Sequence, residues 1–229
     1  MKRTASIALD GPAASGKSTI AERVAEQLDF LYFDTGVMYR AVTLAVLRLD
    51  LDPMDENAVT NLAQAIHIEV RPPNVDDGRQ YDVLLDGEDV TWDIRTDMVN
   101  RNVSQVSTYR GVRKAMTSQQ RQVAKNANVI MVGRDIGTVV LPEADLKIYL
   151  DATVNERARR RYLEEKQRGR DVELEKLVAD MARRDRIDST RAIAPLKPAP
   201  DAVIIDTTGK TIEEVTSAVI NEISTRLTL

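Results

Sequence analysis

The stretch Gly11-Pro12-Ala13-Ala14-Ser15-Gly16-Lys17-Ser18 follows an apolar run, Ile7–Leu9, and precedes a helical pattern with Ile20, Val24 and Leu28. Glycines at both ends let the backbone wrap around a polyphosphate, and the next helix presents the positive end of its dipole to that anion. Lys17 adds a mobile charge for the β- and γ-phosphates, while the Ser18 hydroxyl can bind Mg²⁺. Residues 11–19, Thr19 included, therefore predict a P-loop for a nucleoside triphosphate.

Composition points to an ordinary globular protein. Of the 229 residues, 43% are hydrophobic and 30% are charged, so we expect one main domain with smaller insertions. The absence of cysteine excludes disulfides and thiolate chemistry, and it favours a reducing compartment. The apolar run after Met1–Thr4 is too short for a signal sequence, and no stretch approaches membrane-spanning length. We therefore expect a cytoplasmic protein without a membrane partner.

The charge pattern favours a small anion as ligand. A formal net charge of −4 argues against a nucleic-acid partner, because such proteins usually carry a basic field. Residues 155–191 nevertheless hold twelve Lys or Arg against nine Asp or Glu. A local excess of arginine in an acidic chain suits a compact anion better than a long polyanion.

Short apolar strands alternate with helical patterns, which predicts an α/β fold with a parallel sheet and helices on both faces. The expected strands are Ser6–Leu9, Phe30–Phe33, Val129–Val132, Leu146–Leu150 and Ala202–Ile205. A capping box from Thr211 to Glu214 opens the last helix, whose apolar stripe is Val215, Val219, Ile223 and Leu227.

Two insertions interrupt this core. About a hundred residues separate the second and third strands, more than one crossover needs. They are predicted to form a small antiparallel sheet and then two helices; the expected pieces are strands Ile66–Val70, Tyr81–Leu85 and Asp89–Trp92, a turn-rich stretch Pro72–Arg79, and helices Arg95–Ser107 and Tyr109–Asn126. A second insertion, Thr153–Asp188, precedes the helix-breaking Pro195, Pro198 and Pro200.

The P-loop alone leaves several classes of enzyme open, since GTPases, ATPases and small-molecule kinases all use it. A switch GTPase is disfavoured, because the chain has no NKxD-type segment and its DxxG occurs only at Asp206–Gly209, after the last strand. Arginines follow strand ends or lie in the insertions: Arg40, Arg113, Arg134, Arg184, Arg191 and the run Arg157, Arg159, Arg160, Arg161. Any one of them alone suits a solvated ion pair, whereas several in one cleft would stabilise a transferring phosphoryl group.

The acceptor is predicted to be a phosphate. His67 is the only histidine and lies in the expected insertion sheet, where a structural role is favoured. Alcohol acceptors commonly need a general base, whereas a phosphate monoester has a second pKa of about 6 and is largely dianionic at neutral pH. The chain therefore suits transfer of phosphate onto phosphate without a general base.

From about Ala5 to Leu227 the chain resembles the bacterial cytidylate kinase family. The segments that carry the resemblance are the P-loop with Thr19, Asp34–Arg40 (DTGVMYR), Gly87–Val90, Ile94-Arg95, Ser104–Val106, Val112-Arg113, Gly133–Thr138 (GRDIGT) and Arg191–Leu196 (RAIAPL). The resemblance implies a P-loop kinase fold that transfers phosphate from ATP, with Mg²⁺, to CMP or dCMP. It further implies a core (about 1–35, 128–152 and 192–229), a CMP-binding insertion (about 36–127), a helical lid (about 153–191) and a monomer.

The resemblance also implies roles for individual residues. Arg40, Arg134 and Arg191 would hold the CMP phosphate; Ser104, Arg113 and Asp135 would read cytosine; Arg184 and Asp188 would contact the ribose; Thr35 and Tyr39 would line the acceptor pocket. Lys17, Arg134 and Arg191 would act in catalysis, together with lid arginines Arg157, Arg160 and Arg161. For Asp188, an ion pair with Arg184 or Arg191 is the alternative to a ribose contact.

One position departs from the family. Many members have an acid directly before the GRD segment, where this chain has Val132. That acid would orient the water shell of Mg²⁺. In this chain we expect Ser18 and the ATP oxygens to bind the ion, with Asp10 or Asp34 as helpers. Two alternatives stay open: a kinase for another monophosphate, chiefly UMP, and a nucleotide-binding module without catalysis.

Overall fold

A computed structural model describes residues 4–71, 73–126 and 128–227. Two compact units emerge from it, the first from Met1–Asp34 with Val123–Leu229 and the second from Thr35–Gln122. Throughout the described ranges, no helix is both long and apolar enough to cross a membrane.

The described part of the first unit contains a parallel sheet of five strands in the order β2-β6-β1-β7-β8. The strands are β1 Ser6–Asp10, β2 Leu31–Asp34, β6 Val129–Gly133, β7 Leu146–Asp151 and β8 Val203–Asp206. In β1 every residue after Ser6 is buried, as expected of a central strand covered on both faces. The predicted parallel sheet is confirmed, and its strand ends bring the P-loop and the GRDIGT segment to the same edge.

The described part of the first unit has four α-helices, and the first and last of them pack against this sheet. They are α1 Lys17–Leu28, α6 Val154–Gln167, α7 Leu174–Thr190 and α8 Ile212–Arg226. The predicted capping box is present, since Thr211 Oγ1 accepts from Glu214 N at 3.2 Å and Glu214 Oε2 accepts from Thr211 N at 2.8 Å. The predicted stripe Val215, Val219 and Ile223 packs in one apolar core with α1 and the sheet. Its burial holds α8 against the strands.

The second unit combines a small antiparallel sheet with helices. Its described elements are α2 Gly36–Arg48, α3 Glu56–Ala65, β3 Ile68–Arg71, β4 Asp82–Leu85, β5 Glu88–Asp89, α4 Asp97–Val106 and α5 Arg110–Asn126, the last of which runs into the first unit. The prediction from sequence did not include α2 and α3. Helix α3 approaches α5 closely, because a Cβ on Gly111 would lie 2.0 Å from Thr60 Cγ2.

The third predicted strand of the small sheet, Asp89–Trp92, is wrong. The observed β5 is Glu88–Asp89, and Trp92 instead precedes a 3₁₀ turn, Asp93–Arg95. Asp86 and Gly87 have φ of 50° and 89°, so they form a two-residue reversal that brings the chain back at Glu88. Asp-Gly is the dipeptide that such tight hairpins favour. The strand after it ends at Asp89, three residues before the predicted end at Trp92.

Ion pairs between Arg79 and three aspartates stabilise the turn-rich stretch after β3. This guanidinium binds Asp77, Asp82 and Asp89, with nitrogen–oxygen distances of 2.8, 3.0 and 2.5 Å. Asp82 is buried in β4, so Arg79 supplies the positive charge that a buried carboxylate requires. Pro72, which begins the predicted stretch, lies outside the described residues.

Candidate active site

The P-loop connects β1 to α1. Gly11 has φ of 147°, and a Cβ there would lie 2.1 Å from the Leu150 carbonyl oxygen, so this position requires glycine. Ala14 and Gly16 also have positive φ, of 59° and 92°. Gly16 is the N-cap of α1 and provides no side-chain acceptor. The first amides of α1 thus begin at a helix terminus suited to an anion.

Lys17 is buried within the P-loop. Its Nζ donates to the Pro12 carbonyl oxygen at 2.5 Å and approaches Ser15 Oγ at 3.4 Å. Burial lowers the pKa of Lys17 to about 7, and the positive charges of Arg134 and Arg184 lower it further, against the attraction of Asp34 and Asp10. Two predicted site arginines therefore lie close enough to Lys17 to repel its ammonium, and an anionic ligand would relieve this repulsion.

Ser18 and Asp34 bring two oxygen donors together at the start of α1. Ser18 Oγ donates to Asp34 Oδ2 at 3.3 Å. In the sheet, Asp34 on β2 is paired in register with Val132 on β6, and the Val132 side chain belongs to the apolar core. The neighbouring strand β2 thus carries an acid, Asp34, at the sheet position directly beside Val132.

Four predicted acceptor-site residues form a buried cluster in the first unit. Arg134 Nε binds Asp188, while the Arg191 guanidinium lies 3.4 Å from Asp135 Oδ1 and 3.8 Å from Asp188 Oδ1. Asp135, Asp188 and Arg191 have side chains at most 7% exposed. Each charge is compensated by the next, as buried charges must be. Arg191, one of the two arginines weighed for Asp188, lies within ion-pair distance of it.

Local backbone structure holds this cluster. Arg134 and Asp135 follow β6, Asp188 lies in the last turn of α7, and Arg191 is the C-cap of that helix. Arg191 Nε donates to the Ala194 carbonyl oxygen at 2.6 Å, where Ala194 has φ of 52°. The Leu196 amide donates to the Asp188 carbonyl oxygen at 2.8 Å. The RAIAPL segment therefore folds back on the end of α7.

Asp10 has a contact that the sequence did not predict. Its Oδ1 and Oδ2 accept from the Ile136 and Gly137 amides at 2.8 and 2.7 Å, at the start of a π-helical turn, Ile136–Val140. Burial raises the pKa of Asp10 to about 6, although both amide hydrogen bonds lower it. Of the two helpers considered for Mg²⁺, Asp10 is thus committed to the backbone and Asp34 is the better placed.

The arginines predicted for the lid are paired with other groups of the protein in this structure. Arg157 is bidentate to Asp185 at 3.2 and 2.5 Å, and it donates to the carbonyl oxygens of Ala152 and Ala13. Because Ala13 belongs to the P-loop and Asp185 to α7, Arg157 joins three segments of the first unit. Asp185 was not anticipated from the sequence, since its partner lies 28 positions away.

Arg160 and Arg161 differ in their distance from the P-loop. Arg160 donates to Thr207 Oγ1 and to the Thr207 carbonyl oxygen, at 3.1 and 2.5 Å, and its Nη1 would lie 3.9 Å from a Cβ on Gly16. Arg161 binds Glu164 and Glu165 on its own helix, at 3.2 and 2.7 Å. Of these two arginines, Arg160 is therefore the one beside the P-loop residue Gly16.

The second unit contains the other predicted acceptor residues. Thr35 is the N-cap of α2, and the Tyr39 ring on that helix lies 5.3 Å from the Arg113 guanidinium carbon. Arg113 is buried and donates to the Ser107 carbonyl oxygen at 3.0 Å, while Ser107 Oγ donates to the Ser104 carbonyl oxygen. Tyr39, Arg113 and Ser104 are thus neighbours.

Arg40 follows Tyr39 on α2, and two groups of the second unit hold its guanidinium. One nitrogen donates to the Ile94 carbonyl oxygen at 3.1 Å and to Asn100 Oδ1 at 2.7 Å. Asn100 in turn donates to the Arg95 carbonyl oxygen. The orientation of Arg40 is therefore set by the start of α4 and the turn before it.

A family model described as cytidylate kinase matches residues 7–225. The cytidylate kinase of Herpetosiphon aurantiacus is 49% identical over 214 residues, which cover 93% of this chain and 92% of the relative. That of Geobacillus kaustophilus is 48% identical over 227 residues, covering 99% and 100%. The chain belongs to the cytidylate kinase family. The family predicted from the motif series is confirmed, and with it phosphoryl transfer as the class of reaction.

The chain is also similar in fold to solved structures. An uncharacterized protein from Eubacterium ventriosum has a TM-score of 0.55 at 13% identity, covering 98% of this chain and 100% of that one. A gluconokinase from Sinorhizobium meliloti has a TM-score of 0.50 at 10% identity, covering 98% and 94%. At these identities the likeness extends to the fold alone, and the cytidylate kinase relatives carry the assignment to the family.

Proposed function

We propose that the protein transfers the terminal phosphate of ATP to CMP or dCMP, giving ADP and CDP or dCDP. The observation that carries the proposal is the buried P-loop lysine, Lys17, which is held inside the loop by Pro12 and lies within electrostatic reach of Arg134 and Arg184. A triphosphate at the P-loop and a monophosphate facing it would add negative charge beside these cations. Fixed cations of this kind stabilise the charge on the oxygens of a migrating phosphoryl group.

The chemistry on the acceptor side needs no general base in this proposal. A monophosphate is largely dianionic at neutral pH, so its oxygen attacks without first losing a proton. Lys17 compensates the charge of the transferring group while Arg134 and Arg191 orient the acceptor phosphate. Catalysis then comes from alignment and charge compensation, which pre-organised side chains provide without moving during the reaction.

Recognition of the acceptor is proposed residue by residue. Asp135 accepts from the exocyclic amine of cytosine, a donor that uracil replaces with a carbonyl. Ser104 and Arg113 donate to the cytosine acceptors, and Arg40 binds the CMP phosphate. Asp188 and Arg184 contact the ribose hydroxyls; Thr35 and Tyr39 line the acceptor pocket.

Mg²⁺ is proposed to bind at Ser18 and Asp34. Their oxygens, 3.3 Å apart, are the hard donors that this ion prefers. The described residues contain no group of three or more acidic, histidine or cysteine side chains suited to a metal. This fits Mg²⁺, which commonly uses one or two protein oxygens together with phosphate and water. Once bound, the ion would neutralise developing charge on the phosphate oxygens.

Arg160 is proposed to contact the donor, because its guanidinium lies beside Gly16 and Thr207. Arg157 and Arg161 stay predicted lid residues. Closure of the predicted lid, residues 153–191, over the bound nucleotides would exclude water, which otherwise competes with CMP as an acceptor. A cytoplasmic location, a monomeric state and the absence of a nucleic-acid partner also stay predictions.

A panel of acceptors tests the proposal. Purified protein is mixed with ATP, Mg²⁺ and one of CMP, dCMP, UMP, AMP, GMP or shikimate, and ADP release is followed by a coupled assay. We expect kcat/KM for CMP or dCMP to exceed that for every other acceptor. A preference for UMP would support the alternative pyrimidine kinase. Binding of nucleotides without turnover of any acceptor would indicate a non-catalytic module.

Asp135→Ala is expected to lower kcat/KM for CMP by about 10- to 100-fold, the loss that corresponds to one well-placed base contact. The ratio of CMP to UMP turnover falls as well, because uracil does not use the missing acceptor. ATP binding, measured by calorimetry, changes by less than about twofold. The matched control is Asp180→Ala on α7, an exposed carboxylate 3.5 Å from Arg183. Equal losses for ATP and CMP would contradict base recognition by Asp135.

A further inference from the structure

Asp10 is the last residue of β1 and directly precedes the P-loop, yet its side chain serves another segment. Both of its carboxylate oxygens accept backbone amides of Ile136 and Gly137, the two residues that follow Arg134-Asp135. The carboxylate is buried, at 3% residue exposure. A charged group this deep persists only where its hydrogen bonds and neighbours compensate it.

The surroundings of Asp10 are built to bring these atoms together. Gly137 leaves room for the stem of Lys147, because a Cβ there would lie 3.1 Å from Lys147 Cδ, and it places Asp10 Oδ2 at the ordinary contact distance of 3.4 Å from that Cβ position. Lys147 in turn is held by Asp201 at 2.8 Å. Asp10 on β1 thus accepts two hydrogen bonds from the turn after Asp135, whereas Lys147 on β7 contributes the packing of its aliphatic stem.

The charges around Asp10 link the two ends of the proposed reaction. Asp135 repels the carboxylate and Lys17 attracts it, so it lies within electrostatic reach of both the P-loop lysine and the acceptor motif. The main chain continues from Asp10 into Gly11, whose position against the Leu150 carbonyl allows no side chain. A movement of Asp10 would therefore shift the P-loop and the GRDIGT turn relative to each other.

We propose that Asp10 is a positioning residue for the acceptor: its two hydrogen bonds fix the turn that carries Arg134 and Asp135 at a set distance from the P-loop. The inference rests on the proposed function, since it assumes that Arg134 and Asp135 contact the acceptor. Asp10 touches neither nucleotide in this account and acts through the backbone. Small displacements of such groups lower turnover strongly, by as much as about 10²-fold for 1 Å.

Asp10→Asn is the test, because the amide keeps the shape and replaces one acceptor oxygen by a donor. One of the Ile136 and Gly137 amides then faces a donor and loses its partner. We expect KM for CMP to rise about 10- to 100-fold and kcat to fall, while KM for ATP stays within about twofold. A role confined to folding would lower the melting temperature and the active fraction without separating the two KM values. That outcome would overturn the inference.

Asp201→Asn is the matched control. It removes a carboxylate from the same cluster but leaves Asp10 and its amides untouched, so both KM values are expected to stay within about twofold. An effect on the KM for CMP as large as that of Asp10→Asn would assign the function to general packing and overturn the inference. If the wild type fails to phosphorylate CMP at all, the proposed function fails first, and the two failures are thereby distinguished.

Backbone NMR of the wild type gives a second measurement in case Asp10→Asn does not fold. The amides of Ile136 and Gly137 are followed by hydrogen exchange with CMP alone and with ATP alone. CMP is expected to slow both amides, because an acceptor on Arg134 and Asp135 stabilises the turn that Asp10 holds. Exchange that ATP slows as much as CMP, or that CMP leaves unchanged, would contradict the assignment.

Discussion

Replacing Lys17 with alanine is expected to lower kcat by about 10²- to 10³-fold, as the loss of one pre-organised group at developing charge typically does. The ammonium is buried and neighbours Arg134 and Arg184, so the folded protein pays for keeping it charged. Its only described hydrogen bonds are to Pro12 and Ser15 within the loop. The melting temperature of Lys17→Ala should therefore equal or exceed that of the wild type.

Two measurements check this prediction. Coupled ADP release with CMP gives kcat, and thermal unfolding shows whether the fold is kept. Lys176→Ala provides the control, because Lys176 is exposed and its described partner is Glu173 at 3.1 Å, and its turnover should match the wild type. Near-normal kcat in Lys17→Ala would refute charge compensation by this lysine. A fall in melting temperature together with lost activity would assign it to stability instead.

The parts of the fold that local sequence determines were predicted well. The P-loop is recognisable because glycines at 11 and 16 are required by backbone angles that other residues avoid. The buried strands stand out as short apolar runs between helical patterns, and Thr211 with Glu214 marks the start of α8. Each of these signals lies within a few residues of the structure that it specifies.

Features that depend on distant partners escaped prediction. The end of the small sheet was misplaced, because the reversal at Asp86 and Gly87 outweighed the strand-like pattern up to Trp92. Asp10 lies 126 positions from the amide of Ile136, so no local pattern announces their contact. The position of Asp10, between an apolar strand and the P-loop, was the one signal in the sequence that its carboxylate is buried and needs partners.

The partners of the three predicted lid arginines could not be predicted from local sequence either. Sequence alone marks Arg157, Arg160 and Arg161 as equivalent members of one basic run. Their roles diverge only through partners elsewhere in the chain, with Arg157 held by Asp185, Arg160 beside Gly16 and Arg161 paired within its helix. Residue type indicated an anion site, whereas the choice among these arginines required the packing of α6 against α7 and the P-loop.

Arg134→Ala is expected to lower kcat/KM for CMP by about 10³-fold, the lower end of the range for an arginine that stabilises a transferring phosphoryl group. The guanidinium binds Asp188 and adds its charge to the field around Lys17, so its removal weakens both acceptor orientation and charge compensation. Asp188 keeps a cationic neighbour, because Arg191 lies 3.8 Å away. This limits the cost in folding stability and lets kinetics report on the site.

The control for Arg134→Ala is Arg183→Ala, an exposed arginine of α7 whose described partner is Asp180. Both variants lose one positive charge, so a difference between them reports position rather than net charge. Arg183→Ala should keep kcat/KM within about twofold, as expected of a surface pair. Since Lys17 loses a repelling neighbour in Arg134→Ala, its pKa should rise, and ATP affinity should be kept or increased while CMP turnover falls. Parallel losses in ATP affinity and CMP turnover would show that Arg134 holds the P-loop in place rather than the acceptor.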